Sequence, residues 1–303
     1  MAMANEIAIL FDASKCSGCK GCQVNCKQWN QLPAPLDYSK TPFSGSLENP
    51  IQNDGDTWLR IRIADVEPSP GTVGIAMGRD ACKHCAEAPC VSICPSGACH
   101  KEDNGSTVID AGKCIGCKYC VAACPFKVPH SGRDGKSKKC WLCQDRLQND
   151  RAPACVSTCP TGALQFGSRD EMVTAAKERA AAIKDRFPSA VVYGIDEMGG
   201  LGVISVLPHG AEAHGEPKDP QVPLLTKVER YIPPIMGIGA LGMLGVTLAS
   251  FMGGRGSSYD ADQYRFDPKT GVSYDNDKPM DPDAPVERAA SDKKKAASGK
   301  GEK

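Results

Sequence analysis

Cys114-Ile115-Gly116-Cys117-Lys118-Tyr119-Cys120-Val121-Ala122-Ala123-Cys124-Pro125 is the stretch from which the rest of the chain is read. Its spacing is C-x2-C-x2-C-x3-C-P, the bacterial run that holds a four-iron, four-sulfur cubane. Cys114, Cys117 and Cys120 are close enough in sequence to wrap one cluster. Cys124 is turned away by the intervening residues and reaches a second one. Pro125 stops any helix and removes a backbone donor. A zinc site would use two paired C-x-x-C knuckles instead of this triple-plus-one.

The same spacing recurs at Cys16, Cys19, Cys22 and Cys26, with Gly18 and Gly21 suited to tight backbone wrapping. A third group, Cys82, Cys85, Cys90 and Cys94, has a slightly longer loop and again ends on a proline, Pro95. The fourth comprises Cys140, Cys143, Cys155 and Cys159, followed by Pro160. The chain is therefore an internal repeat of a ferredoxin-type half-unit, and four groups predict four cubanes. His84 lies between two cysteines of a group that has four without it. Cys99 falls outside every group and reads as a small buried hydrophobe. The short gap between Cys94 and Cys114 suits one two-cluster unit from groups two and three, with groups one and four closing around it. Spacing alone equally allows neighbours to pair in order.

The chain has 303 residues and 17 cysteines, so one cysteine is spare. Their bunching in fours is unlike a disulfide scaffold. The length suits two modest domains. Lys+Arg and Asp+Glu both number 36, and this zero net charge argues against a nucleic-acid partner. Lysines nevertheless crowd the motifs: Lys15, Lys20, Lys27, Lys83, Lys113, Lys118, Lys127, Lys138 and Lys139. They are expected to compensate the buried charge of the clusters and to raise their reduction potentials. Met1 to Phe11 shows neither a Sec nor a twin-arginine signal.

Between and beyond the motifs, Trp29 is expected as a hydrophobic lid and residues 31–56 as a surface loop. Trp58 to Ile63 alternates apolar and charged residues, the pattern of a half-buried strand. Ala163 to Gly167 reads as a strand. Ser168 and Glu171 then form a capping box for a helix predicted to run to about Phe187. Val191–Tyr193 and Val203–Leu207 read as further strands. Ile232 to Gly254 are 23 uncharged residues, enough to cross a bilayer as a helix. Its Gly245, Ala249 and Gly253 form a small-residue face. The polar tail 255–303 reads as disordered.

Three stretches carry a resemblance: Cys16 through Asn30; Pro153-Ala154-Cys155-Val156-Ser157-Thr158-Cys159-Pro160-Thr161-Gly162-Ala163; and His214-Gly215-Glu216-Pro217-Lys218-Asp219-Pro220. With them the chain resembles the beta, iron–sulfur subunits of membrane-bound respiratory formate dehydrogenases of the nitrate-inducible type. The cysteine groups are shared with beta subunits of other molybdopterin oxidoreductases and of some hydrogenases. The third stretch and the terminal helix narrow the family.

The resemblance implies an α+β fold of two ferredoxin-like two-cluster units, one nested in the other. Residues 1–80 and 126–207 form the first unit and 81–125 the second. A linker (208–231), a single transmembrane helix (232–254) and a disordered tail (255–303) follow. The implied ligand sets are Cys16, Cys19, Cys22 and Cys159; Cys26, Cys140, Cys143 and Cys155; Cys82, Cys85, Cys90 and Cys124; and Cys94, Cys114, Cys117 and Cys120. Four [4Fe–4S] clusters would relay electrons from a molybdenum or tungsten molybdopterin subunit to a membrane cytochrome b and quinone, with no catalytic residue in this chain. The cluster domain is expected on the periplasmic or exterior side and the tail in the cytoplasm.

Overall fold

The computed structural model describes residues 7–33 and 47–222, together with the backbone of 264–267, 272–275 and 278–279. The frame is a four-stranded sheet built from strands that lie far apart in sequence. β1 (Ile7–Asp12) is followed by α1 (Gly21–Trp29), then by the hairpin of β2 (Leu59–Val66) and β3 (Gly74–Ala81). The middle of the chain holds α2 (Pro89–Ser92), β4 (Cys99–Lys101), β5 (Thr107–Ile109), α3 (Tyr119–Ala123), β6 (His130–Ser131), β7 (Ser137–Lys138), α4 (Gln144–Leu147) and α5 (Ala154–Ser157). It closes with β8 (Leu164–Ser168), α6 (Arg169–Ala182), β9 (Val191–Tyr193) and β10 (Val203–Leu207). The frame's strand order is β8-β1-β10-β9. β1 runs parallel to β10 and antiparallel to β8.

Because side chains alternate along a strand, β1 sorts two cores. Ala8 and Leu10 face Met172, Ala176, Ile183, Ile204 and Val206, the packing of α6 on the sheet. Ile9 and Phe11 face the opposite core, which contains Leu59, Ile61, Leu142 and the cysteines Cys22, Cys26 and Cys155. Burying Leu10 or Phe11 contributes about 1.5–3 kcal/mol each. The sheet thus carries the helix on one face and thiols on the other. The buried Asp12 carboxylate ties the two by accepting from Arg179 Nε of α6 at 2.8 Å and from Ser14 Oγ at 2.5 Å.

The expected strands at 58–63, 163–167, 191–193 and 203–207 are present as β2, β8, β9 and β10. The capping box holds as read, with Ser168 Oγ accepting from the Glu171 amide at 3.4 Å. The helix stops earlier than expected. It ends at Ala182 instead of Phe187, and the chain turns through Ile183. Pro188 disfavours a helical Phe187, and Phe187 packs edge-on against His209 at 5.3 Å instead.

Trp29 is no lid. Its ring is 39% exposed, its indole N–H donates to Asp145 Oδ2 at 2.9 Å, and Arg146 stacks on it at 4.3 Å. In the tail, β11 (Tyr264–Asp267), β12 (Val272–Asp275) and β13 (Lys278–Pro279) form an antiparallel sheet, so disorder across all of 255–303 is corrected there. The segment alternates Tyr264, Phe266, Val272 and Tyr274 with polar residues, a strand pattern that an average over the polar tail conceals. The span 232–254 lies outside the described residues. Among the described residues no helix is long and apolar enough to cross a membrane.

Candidate metal centres

The four cysteine groups share one backbone device. Each opens on a C-x-x-C knuckle whose second inner residue is left-handed: Gly18 (φ 67), His84 (φ 50), Gly116 (φ 73) and Leu142 (φ 61). That turn folds the chain back so that both cysteines face the same side. A second shared device follows the last cysteine of three groups. Gly97, Lys127 and Gly162 take positive φ and return their amides to the carbonyls of Cys94, Cys124 and Cys159. The cysteine before proline is held extended, as Cys124 shows at φ −79, ψ 115. The same turn aims an amide at sulfur, with Cys99 N donating to Cys94 Sγ at 3.3 Å.

These turns bring sulfurs together in four cages. Cage I collects Cys16, Cys19, Cys22 and Cys159 around a small apolar cavity. In cage II, Cys26 faces Cys140, Cys143 and Cys155. In cage III, Cys85 faces Cys82, Cys90 and Cys124. Cage IV collects Cys94, Cys114, Cys117 and Cys120 around a small apolar cavity. Group one thus interlocks with group four, and group two with group three.

The cages themselves form a row. Cys22 of cage I neighbours Cys155 of cage II. Cys140 of cage II neighbours Cys82 of cage III. Cys90 of cage III neighbours Cys120 of cage IV. The two ends of the row reach the surface, with Cys19 and Cys117 exposed, while every cysteine of cage II is buried.

The donor set fits iron–sulfur clusters. Burial, followed by the other sulfurs, pushes Cys143 up to about 12. Burial alone is the largest cause for Cys22 and Cys124, which also rise to about 12. Such thiols ionise together only when a cation compensates them, so iron binding displaces their protons. Among the described residues no three His, Cys, Asp or Glu groups converge on a single ion.

Cys99 is 3% exposed and packs with Cys90 and Cys120, between cages III and IV. His84 is also buried. Its Nδ1 accepts the Thr107 amide at 3.1 Å, and its Nε2, without a hydrogen-bond partner among the described residues, faces the sulfurs of Cys82 and Cys140. It therefore stands between cages II and III.

The lysines depart from expectation. Lys15 and Lys113 pair with Asp12 and Asp110, Lys138 with Asp134, and Lys27 donates to the Asp56 carbonyl. Lys83 is buried against Glu216. Of that set, Lys139 is the buried amine that faces sulfurs, those of Cys82, Cys90, Cys99 and Cys140. Arg79, which the sequence reading passes over, faces Cys155, Cys140 and Cys22. Its signal is an arginine at an inward position of the Gly74–Ala81 strand, where Met77 and Ala81 also face the core.

Comparison with known proteins bears on the cofactor and the family. A 4Fe-4S dicluster domain family matches residues 73–169, and a second family of the same description matches residues 15–98. The chain is 38% identical over 250 residues to the formate dehydrogenase iron-sulfur subunit of Haemophilus influenzae, covering 80% of this chain and 78% of that one. It is 39% identical over 223 residues to the nitrate-inducible formate dehydrogenase iron-sulfur subunit of Escherichia coli, covering 72% and 74%. The thiosulfate reductase electron transfer subunit PhsB of Salmonella typhi is 38% identical over 172 residues, covering 56% and 79%. Two dicluster matches over four cysteine cages make four [4Fe–4S] clusters the cofactor complement.

Proposed function

The chain belongs to the family of formate dehydrogenase iron–sulfur subunits, and on that premise we propose that it relays electrons through cages I to IV in a formate-oxidising complex. The observation that carries this reading is the row itself. Each cage has a sulfur against the next, the inner cage II is sealed from solvent, and an exposed cysteine stands at each end. The clusters supply one-electron carriers. The chain's residues insulate them, aim amides at their sulfurs and hold the two terminal cages where partners can approach. The relay needs no general base or nucleophile from this chain.

In this reading the sixteen cysteines of the four cages are the ligands, as the resemblance implies. A molybdopterin subunit, holding molybdenum or tungsten, donates electrons at one end. A membrane cytochrome b receives them at the other. Exposed Ile115 and Tyr119 flank cage IV, and exposed Val24 lies beside cage I, giving each end apolar contact surface. Anaerobic purification of the native complex tests the proposal. We expect about sixteen irons per chain, from four cubanes, a molybdopterin subunit that oxidises formate, and formate-dependent reduction of all the clusters. Loss of about four irons is expected in Cys124→Ala. A count near twelve in the unmodified chain refutes the ligand sets. A co-purifying thiosulfate-reducing subunit would instead assign the relay to the reaction named for the PhsB relative.

We further propose that 232–254 anchors the chain in the membrane, with the cages outside and the tail in the cytoplasm. The uncharged length supports the anchor, and the Lys293-Lys294-Lys295 run supports a cytoplasmic tail. Protease added to intact spheroplasts should remove the cage domain. Digestion confined to the tail refutes this sidedness.

A further inference from the structure

Arg60, Arg79, Lys83 and Lys139 are the buried arginines and lysines among the described residues. Three of them have conventional partners. Arg60 lies between the carboxylates of Glu48 and Asp80, at 2.5 and 2.8 Å. Lys83 pairs with Glu216. Lys139 donates to the carbonyls of Thr107 and Cys140.

Arg79 differs from all three. It is 2% exposed, and Nε, Nη1 and Nη2 have no hydrogen-bond partner among the described residues. It cannot shed its proton, and a buried charge without compensation is costly. Of the carboxylates that line the cavity beside it, Asp80 is committed to Arg60 and Glu216 to Lys83, and Glu212 is exposed to solvent. One edge of Arg79 borders a polar cavity of about 560 Å3, whose lining also includes Asn53, Lys83 and Lys127. The anionic groups it faces are sulfurs: Cys155 and Cys140 of cage II and Cys22 of cage I. β3 carries it there, because alternation along the strand sends Arg79 inward, with Met77 and Ala81, toward the core that holds those cysteines.

We infer that Arg79 is a fixed buried cation placed between cages I and II, and that its charge raises the reduction potentials of the two clusters held there. Reduction adds negative charge to a cluster. A cation held nearby in a poorly screening interior stabilises the reduced form, and the cluster's charge in turn compensates the guanidinium. One group therefore sets two adjacent steps of the relay, whereas cages III and IV lie beyond the cysteines it faces. The inference rests on the ligand sets proposed above.

The test uses the whole complex carrying Arg79→Gln, Arg79→Met or Arg79→Lys. The four clusters are followed by electron paramagnetic resonance through a redox titration, with iron counted on the same samples. At full iron, the Gln and Met variants should move two of the four potentials downward and leave the other two near their original values. Arg79→Lys, which keeps the charge, should hold both potentials near their original values. Unmoved potentials at full iron overturn the inference, as does an equal shift in the Lys and Met variants, which would be a packing effect. If the neutral variants shed clusters, retention in Arg79→Lys supports the need for charge, and equal loss there overturns it. Failure of the ligand sets reads differently: Cys22→Ala and Cys155→Ala would then keep their full iron.

Discussion

Cages I and IV at the ends of the row and cages II and III within it are built on the same knuckle, yet they fill its left-handed position differently. At the ends that residue is Gly18 or Gly116; inside it is Leu142 or His84. A Cβ on Gly116 would stand 2.7 Å from the Gly135 carbonyl oxygen, and one on Gly18 would stand 3.0 Å from Met77 Cε. The end knuckles therefore need glycine both for conformation and for room. Inside, a side chain is tolerated in a strained conformation because it does something there. Leu142, 2% exposed, fills the core between cysteines, and His84 stands against the sulfurs of two cages. The repeat supplies cluster geometry four times over, and the position before the second cysteine records whether a cage meets solvent or its neighbours.

That contrast predicts where substitutions hurt. The larger effect is expected at Leu142→Ala, which keeps the strained backbone and empties a core site, at about 2–5 kcal/mol. It should lower the temperature at which the complex releases iron and should weaken the fold as a whole. A smaller effect is expected at Gly116→Ala, with strain of about 1–3 kcal/mol and a shifted Gly135 carbonyl. It should be confined to cage IV and read as faster loss of one cluster's signal to a chelator while the others persist. If Gly116→Ala proves the more damaging, or if Leu142→Ala empties one cage only, the distinction between end and inner knuckles does not hold.

The same contrast shows how far the sequence could be read. Each cage takes most of its sulfurs from ligands spaced by short-range geometry, so the groups are visible in Cys114 to Pro125 and its repeats. The partner that completes each cage is not. The spacing suits groups one and four closing around the other two but equally allows neighbours to pair in order, and only the resemblance names Cys159 as the partner of Cys16. Charge compensation was misplaced for a related reason. Proximity in sequence to the motifs does not place a lysine at the sulfurs, because most of these amines serve carboxylates or backbone carbonyls. Arg79 reaches the sulfurs through the pairing of β3 with β2, in which it sits opposite Ile61. A strand register of that kind leaves little trace in composition. β1 went unread because a short apolar run before a motif does not announce two distant strands as its partners.

The smallest effect sharpens the comparison most, and it falls on Cys99. This thiol lies between an inner cage and an end cage and belongs to neither group. Its two roles are separable. The amide of residue 99 donates to Cys94 Sγ of cage IV at 3.3 Å, and any residue retains that bond. The thiol serves cage III: its hydrogen bond is the foremost influence holding Cys90 below the usual thiol range, against the opposing effect of burial. Cys99→Ser keeps a donor of nearly the same size, so iron content and all four potentials should stay close to those of the unmodified chain. Cys99→Ala keeps the amide and loses the donor. Its iron should remain complete while one potential, that of cage III, moves downward, because a hydrogen bond to a ligating sulfur favours the reduced cluster. Iron loss in Cys99→Ser equal to that in Cys124→Ala would make Cys99 a ligand and break the four-by-four grouping. A shift in cage IV in place of cage III would mean that the thiol serves the end of the row and not its interior.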